Sequence, residues 1–242
     1  MLYFDLLCGA SGDMILASLV DLGVPLSFLK DSFHTLRIPG LSIEQTRQIR
    51  ADQSCTQLLI RWSEESQREY RNLYSILTLL ERGSFPPGVV EICRRILGRL
   101  AEAESRVHGV PVEQVHFHEI GAVDTVVDVL GFALAIEYLG IKRILFSTLT
   151  VGTGTVDTSH GILPVPAPAT QEMLAGFEAR QLATGTEILT PTGCAILTAL
   201  GRQVRDKPEG SIAGEGYGCG QKSIIGFSDY LRVLHFSGEP ST

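Results

Sequence analysis

The sequence predicts a mixed α/β (α+β) fold, a mixed sheet packed against several helices, and three observations carry that prediction. A short apolar run, "LYFDLL" at 2 to 7, meets the glycine turn "CGASGD" and then "MILASLVDLG", whose apolar residues recur at helical spacing up to Gly23. The stretch from Leu41 to Trp62 instead alternates polar and apolar residues around a polar middle, as a β-hairpin does. Strand-like and helix-like segments then interleave to the end of the chain, the pattern of helices layered on a sheet. Strand order follows from none of these signals.

The opening strand and helix need only the glycine turn between them, and the hairpin strands are expected to flank that first strand. Two amphipathic helices come next. Tyr70, Leu73, Ile76, Leu77 and Leu80 share one face of the first; beyond the breaker "PPG", Val89, Ile92, Cys93, Ile96, Leu97 and Leu100 share one face of the second. "VHFHE" at 115 to 119 reads as a strand entering a helix, in which nearly every position from Ile120 to Leu139 is apolar. "RILFSTLTVG" follows as a strand. "GTGTVDTSHGILPVPAPAT" holds too many breakers for one element and is expected to be an ordered, functional loop. In "LTPTGCAILTALG", Thr190 is placed to cap a helix and Pro191 to fill its first turn, and "DYLRVLHF" is a closing strand. One domain over 1–242, with two possible lobes at about 1–110 and 111–236, accommodates this order.

Composition narrows the function. With 44% hydrophobic and 19% charged residues, the chain can bury a full core. A net charge of −7 argues against nucleic acid or an anionic membrane as partner, since both need a basic face, and leaves cations as the easier ligand. Cys8, Cys55, Cys93, Cys194 and Cys219 are far apart without a CxxC pair, which indicates neither a disulfide framework nor a thiolate zinc site. No Lys or Arg precedes the first apolar residues and no uncharged run reaches about 18 residues, so a cytoplasmic protein without signal peptide or membrane span is expected.

The chemistry concentrates in "VHFHEIGAVDTVVDVLG". On a strand, His116 and His118 would point to one face with Cβ atoms roughly 6 to 7 Å apart, close enough to converge on one cation. Asp124 and Asp128, four apart, share a face of the following helix, and a helix apolar all round is a buried one. Burying an unpaired carboxylate is costly, so something cationic should meet them. Two answers fit. One is a divalent ion held by His116 and His118 with Glu119, Asp124 or Asp128, completed by His160. The other is pairing with Arg or Lys from neighbouring helices, or a helix N-terminus that holds Glu119 and Asp124 through its dipole. Imidazole with carboxylate suits nickel, zinc, iron or manganese, and residue types do not choose among these.

Gly9, Ser11, Gly12 and Asp13 form a turn whose backbone N–H groups could cradle an anion or phosphate at a helix start; equally, it is a tight turn with Ser11 as cap. It lacks the Gly-Lys-Ser/Thr of a P-loop, and Asp13 stands where a nucleophile elbow needs glycine. Thr190, Thr192 and Gly193 likewise open a helix either to a second anionic group or to a simple cap. Cys194 and Cys219 read as small packed residues, and Cys8, in the turn, is the better thiol candidate.

Together "FDLLCGASGDM", "VHFHEIGAVDTVVDVLG", "VGTGTVDTSHGILPVPAPAT", "TPTG" and "GYGCG" with "LRV" resemble the LarC family of nickel insertion proteins, which serve the nickel-pincer cofactor of lactate racemase. The resemblance runs in order from residue 3 to about 234. It implies insertion of nickel into pyridinium-3,5-bisthiocarboxylic acid mononucleotide, forming nickel–carbon and nickel–sulfur bonds, with CTP hydrolysed and manganese required. On that reading Ni²⁺ waits on His116, His118 and a nearby carboxylate, with Glu119, Asp128 and His160 as the further ligands. The mononucleotide phosphate sits at the Gly9–Asp13 turn or the Thr190 helix end, and Glu119 or an uncoordinated Asp such as Asp124 takes the ring proton.

Long members of that family continue into a C-terminal domain that handles CTP. The present sequence is expected to match their N-terminal part alone, its expected partner being either that C-terminal domain as a separate chain or a second copy of itself, with CTP and manganese entering only through the C-terminal domain. Two other classes stay open: a nickel-binding and delivery module without chemistry of its own, and a metal-dependent hydrolase using a bound hydroxide.

Overall fold

A computed structural model describes residues 1–63, 72–117, 122–158 and 161–237. Strand β1 (Leu2–Asp5) lies at the middle of a seven-stranded mixed sheet, antiparallel to β11 (Leu231–Ser237) on one side and parallel to β4 (Ile144–Phe146) on the other. Beyond β11 come antiparallel β10 (Ser211–Gly218), then parallel β3 (Gln53–Arg61) and its hairpin partner β2 (Ser42–Arg50); beyond β4 lies the short β9 (Arg202–Gln203). Leu2, Tyr3 and Phe4 are all buried, as a central strand covered on both faces requires. Leu2 and Phe4 enter the main core, whereas Tyr3 joins Leu145, Leu234 and Phe236 in a small cluster of its own.

The hairpin forms where alternation places it, around a turn with Ala51 and Asp52 at positive φ. Its expected position beside β1 is corrected: the C-terminal pair β10–β11 stands between them. Alternation tells a strand which face to bury and says nothing about which edge it joins. The packing of a helix on β10 depends on glycine. A Cβ on Gly216 would overlap the Ser18 carbonyl and one on Gly218 the Met14 carbonyl, so the bare face of β10 lets helix α1 (Gly12–Asp21) lie directly on the sheet. Asp21 then ties the layers together, accepting from Thr56 Oγ1 (2.8 Å) and Tyr217 N (2.8 Å) while pairing with Arg47.

The remaining described helices are α2 (Leu26–His34), α3 (Leu73–Arg82), α4 (Pro87–His108), α5 (Ala122–Tyr138), α6 (Pro168–Met173) and α7 (Pro191–Leu200). Helix α4 starts on Pro87 at its first turn and stops at Gly109 in the left-handed conformation, φ 66°. Helix α5 packs against α1 and α4, with contacts to α2 and α7 as well, which explains why the stretch from Val123 to Ile136 carries so little polarity.

Two further expectations change. "RILFSTLTVG" is two strands, β4 and β5 (Leu149–Val151), because Ser147 is pulled across the end of β1: its N–H donates to Phe4 O (3.0 Å) and its Oγ accepts from Leu6 N (2.9 Å). Strand β5 pairs instead with β8 (Ala179–Gln181). Residues 115–117 are not a strand. They leave a 3₁₀ turn, Val112–Gln114, with Val115 N bonded back to Val112 O (3.2 Å) and no strand alongside among the described residues. The Gly/Pro-rich passage holds an antiparallel pair, β6 (Thr155–Thr158) and β7 (Gly161–Pro164), followed by α6. Among the described residues no helix is long and apolar enough to cross a membrane.

Candidate functional site

Two helix N-termini and the first turns of a third helix meet at one end of the sheet. The turn after β1 and the start of α7 are stitched together by a bridge between Ala10 and Leu189 and by Thr190 N donating to Ala10 O (3.1 Å). Thr190 caps α7 as expected, its Oγ1 accepting from Gly193 N (3.2 Å). Ser11 does not cap α1; its hydroxyl donates to the Asp13 carboxylate, which also accepts from Met14 N (2.9 Å). Helix α5 enters from its own first turns. Asp128 reaches the start of α1, where a Cβ on Gly12 would fall 2.7 Å from its Cγ.

Between these elements lies a cleft of about 280 Å³, lined by Ser11, Gly12 and Asp13 from α1, Asp124, Thr125 and Asp128 from α5, and Glu187, Thr190, Pro191 and Thr192 around the start of α7. Ile60 and Trp62 from the end of β3 and Gln221 after β10 complete it. A neighbouring chamber of about 230 Å³ shares Ser11, Asp13, Glu187, Thr190 and Gln221, and adds Cys8, Lys222 and Asp229 among others.

The electrostatics are one-sided. Burial holds the Asp13 carboxyl above its ordinary range, opposed by the Ser11 and Met14 hydrogen bonds. Burial likewise pushes Asp124 up to about 6, with the Asp13 charge adding and the Thr125 N–H bond (2.8 Å) opposing. Asp128 is raised well above the usual carboxylate range, first by burial and then by the charges of Asp13 and Asp124. Asp128 is 7% exposed and its Oδ1 has no hydrogen-bond partner among the described residues. No arginine, lysine or histidine of the described residues forms an ion pair with any of the three. Pairing with basic side chains of neighbouring helices is therefore not what the described residues provide.

The expected site residues divide. Ser11, Gly12, Asp13, Asp124, Asp128, Thr190 and Thr192 all line the cleft. Gly9 and Gly193 stand behind it as close-packing positions, Gly9 at φ 76° against the Ile188 backbone and Gly193 against Ala10. His116 is exposed between buried Val115 and Phe117 and does not line the cleft. His118, Glu119 and His160 lie outside the described residues. Among the described residues no three His, Cys, Asp or Glu side chains converge closely enough to hold a metal ion. Cys8 lines the second chamber, and burial raises its thiol to about 11, so it is not a thiolate at neutral pH.

Sequence reasoning missed Glu187, Gln221, Ile60 and Trp62. Glu187 and Gln221 lie in segments without periodicity, beside "TPTG" and "GYGCG". The chain's single tryptophan at the end of a hairpin strand was a visible signal for the apolar wall.

Comparison with known proteins gives a consistent assignment. The chain matches the family model described as nickel insertion protein over residues 2–242. Relatives that carry the provisional name nickel insertion protein include one from Citrifermentans bemidjiense, 41% identical over 232 residues (96% of this chain, 60% of the relative). One from Geobacter sulfurreducens is 41% identical over 241 residues (99% and 61%), and one from Dictyoglomus thermophilum 37% identical over 232 residues (96% and 59%). The chain thus spans about 60% of the length of these curated relatives. No solved structure matches it.

Proposed function

The chain belongs to the nickel insertion protein family, and on that premise we propose that it brings nickel together with an organic acceptor in the acidic cleft where α1, α5 and α7 meet. The acceptor we propose is pyridinium-3,5-bisthiocarboxylic acid mononucleotide, with nickel joined to one ring carbon and two sulfurs. The observation that carries this reading is Asp128: buried, with an unpartnered carboxylate oxygen, beside Asp13 and Asp124, and with no basic partner among the described residues. Uncompensated buried carboxylates cost stability, and an arriving Ni²⁺ supplies the missing charge. His116, His118, Glu119 and His160 are proposed to complete the nickel's path into the cleft.

Forming the nickel–carbon bond displaces a ring proton, and a carboxylate must take it. Asp124, which lines the cleft, or Glu119 is proposed for that step. Lys222 in the adjoining chamber suits the mononucleotide phosphate, next to the Ser11–Asp13 turn and the Thr190 helix end. CTP and manganese we assign to the part of the longer relatives that this chain does not span. Five free, buried cysteines suit a reducing cytoplasm.

The test mixes the purified chain with the bisthiocarboxylate precursor, Ni²⁺ and CTP, alone and with the remainder of a full-length relative. Cofactor detected by mass in at least one arm supports insertion. Tight nickel binding with no cofactor in either arm reduces the chain to a delivery module. Zinc in the isolated protein, with phosphoester hydrolysis in the absence of precursor, would replace both readings by a hydrolase.

A further inference from the structure

We infer that Trp62 is the ring platform of the cleft, the residue on which a flat, positively charged heteroaromatic ring is held beside the carboxylates of Asp13, Asp124 and Asp128. This rests on the reading of the cleft as the precursor site and adds the residue that recognises the ring.

The cleft combines two features that serve no single simpler ligand. Its Asp13, Asp124 and Asp128 carboxylates form no ion pair with a basic side chain among the described residues, so they favour a cation. Its apolar wall is an indole with Ile60, so it favours a planar, weakly hydrated group. A bare metal ion has no use for the indole, and a neutral ring has no use for the carboxylates. An N-substituted pyridinium uses both, its charge meeting the carboxylates and its face meeting the electron-rich indole. The volume, about 280 Å³, is at the small end for a ligand pocket. It accommodates a ring and its substituents, with the rest of a nucleotide passing into the adjoining chamber.

Trp62 is also held in place before any ligand arrives. Both of its chain neighbours are fixed: Arg61 by its register opposite Ser42 at the end of the hairpin, and Ser63 by its N–H to Pro39 O (3.1 Å). The indole itself is half-buried and packs against the main core, so part of it is anchored and part remains available. Ordering an already ordered platform costs little on binding.

Because Trp62 is the only tryptophan, its fluorescence reports on this position alone. The intact chain is titrated with 1-methylnicotinamide (flat and cationic), nicotinamide (flat and neutral) and tetramethylammonium (cationic and not flat). Saturable quenching by 1-methylnicotinamide is expected, with the other two binding at least about tenfold more weakly. By calorimetry Trp62→Leu should lose about tenfold in affinity for 1-methylnicotinamide while Trp62→Phe stays within roughly threefold, and nickel affinity should not change in either. Equal affinity for the charged and neutral rings, absence of saturable quenching in the wild type, or unchanged ring binding in a folded Trp62→Leu would each overturn the inference. Ring binding without any nickel insertion would leave Trp62 as platform and remove the insertion reading. Insertion by Trp62→Leu at an unchanged KM for the precursor would do the reverse.

Discussion

Asp128 and Gly12 are in direct apposition: the carboxylate of a buried α5 residue lies against the Cα of the first residue of α1, where a Cβ would come 2.7 Å from Cγ and 2.8 Å from Cβ of Asp128. Gly12→Ala must therefore displace either the start of α1 or the carboxylate. We predict a loss of about 1–3 kcal/mol in stability together with weakened nickel binding. A variant that melts and binds nickel like the wild type in parallel calorimetric scans and titrations would show that the two groups are not locked together.

Asp128→Asn should separate stability from function. Whether Asp128 stays ionised or is forced to take up a proton, burial makes it costly at neutral pH, and asparagine removes that cost with nearly the same shape. In the metal-free protein we expect a gain on the order of 1 kcal/mol, or a rise in Tm of about 2–4 °C. Nickel binding should fall at the same time. A lower Tm in metal-free buffer would return Asp128 to the scaffold.

The pH dependence of stability has a definite sign at Asp124. Its pKa is raised on folding from 3.8 to about 6, so its favourable contribution is complete below 3.8 and is lost as pH climbs to about 6. Asp124→Asn should flatten that part of the profile, gaining on the order of 2 kcal/mol relative to wild type between pH 4 and pH 7. Urea melts across this range measure the difference, and parallel wild-type and variant profiles would contradict it.

His116 is exposed, so His116→Ala should fold normally. With His118→Ala it tests the histidine contribution to nickel: each is expected to lower affinity about tenfold or more. Nickel titration calorimetry decides, and unchanged affinity in both variants would remove the pair from the nickel path.

The fold class was legible because it rests on local periodicity. The alternation from Leu41 to Trp62 gave the β2–β3 hairpin, the apolar run after Asp124 gave buried α5, and Thr190 with Pro191 gave the start of α7. What escaped was neighbourhood. Nothing in the hairpin says that β10 and not β1 lies beside it, because the pairing of β3 with β10 is a contact between segments far apart in the chain.

The same division holds at the site. By itself, the sequence determined that Asp124 and Asp128 share a face of a buried helix and that their charge would need an answer, since helical spacing and hydrophobicity are properties of adjacent residues. Only the tertiary structure decided what stands around them. It turned the Ser11–Asp13 turn from a bare anion cradle into the source of a third carboxylate, brought Glu187 and Gln221 from aperiodic segments to the same cleft, and set Trp62 in its wall. Those placements come from packing between residues far apart in the chain, where Gly12 makes room for Asp128 and Ala10 anchors Thr190, and no local pattern encodes them.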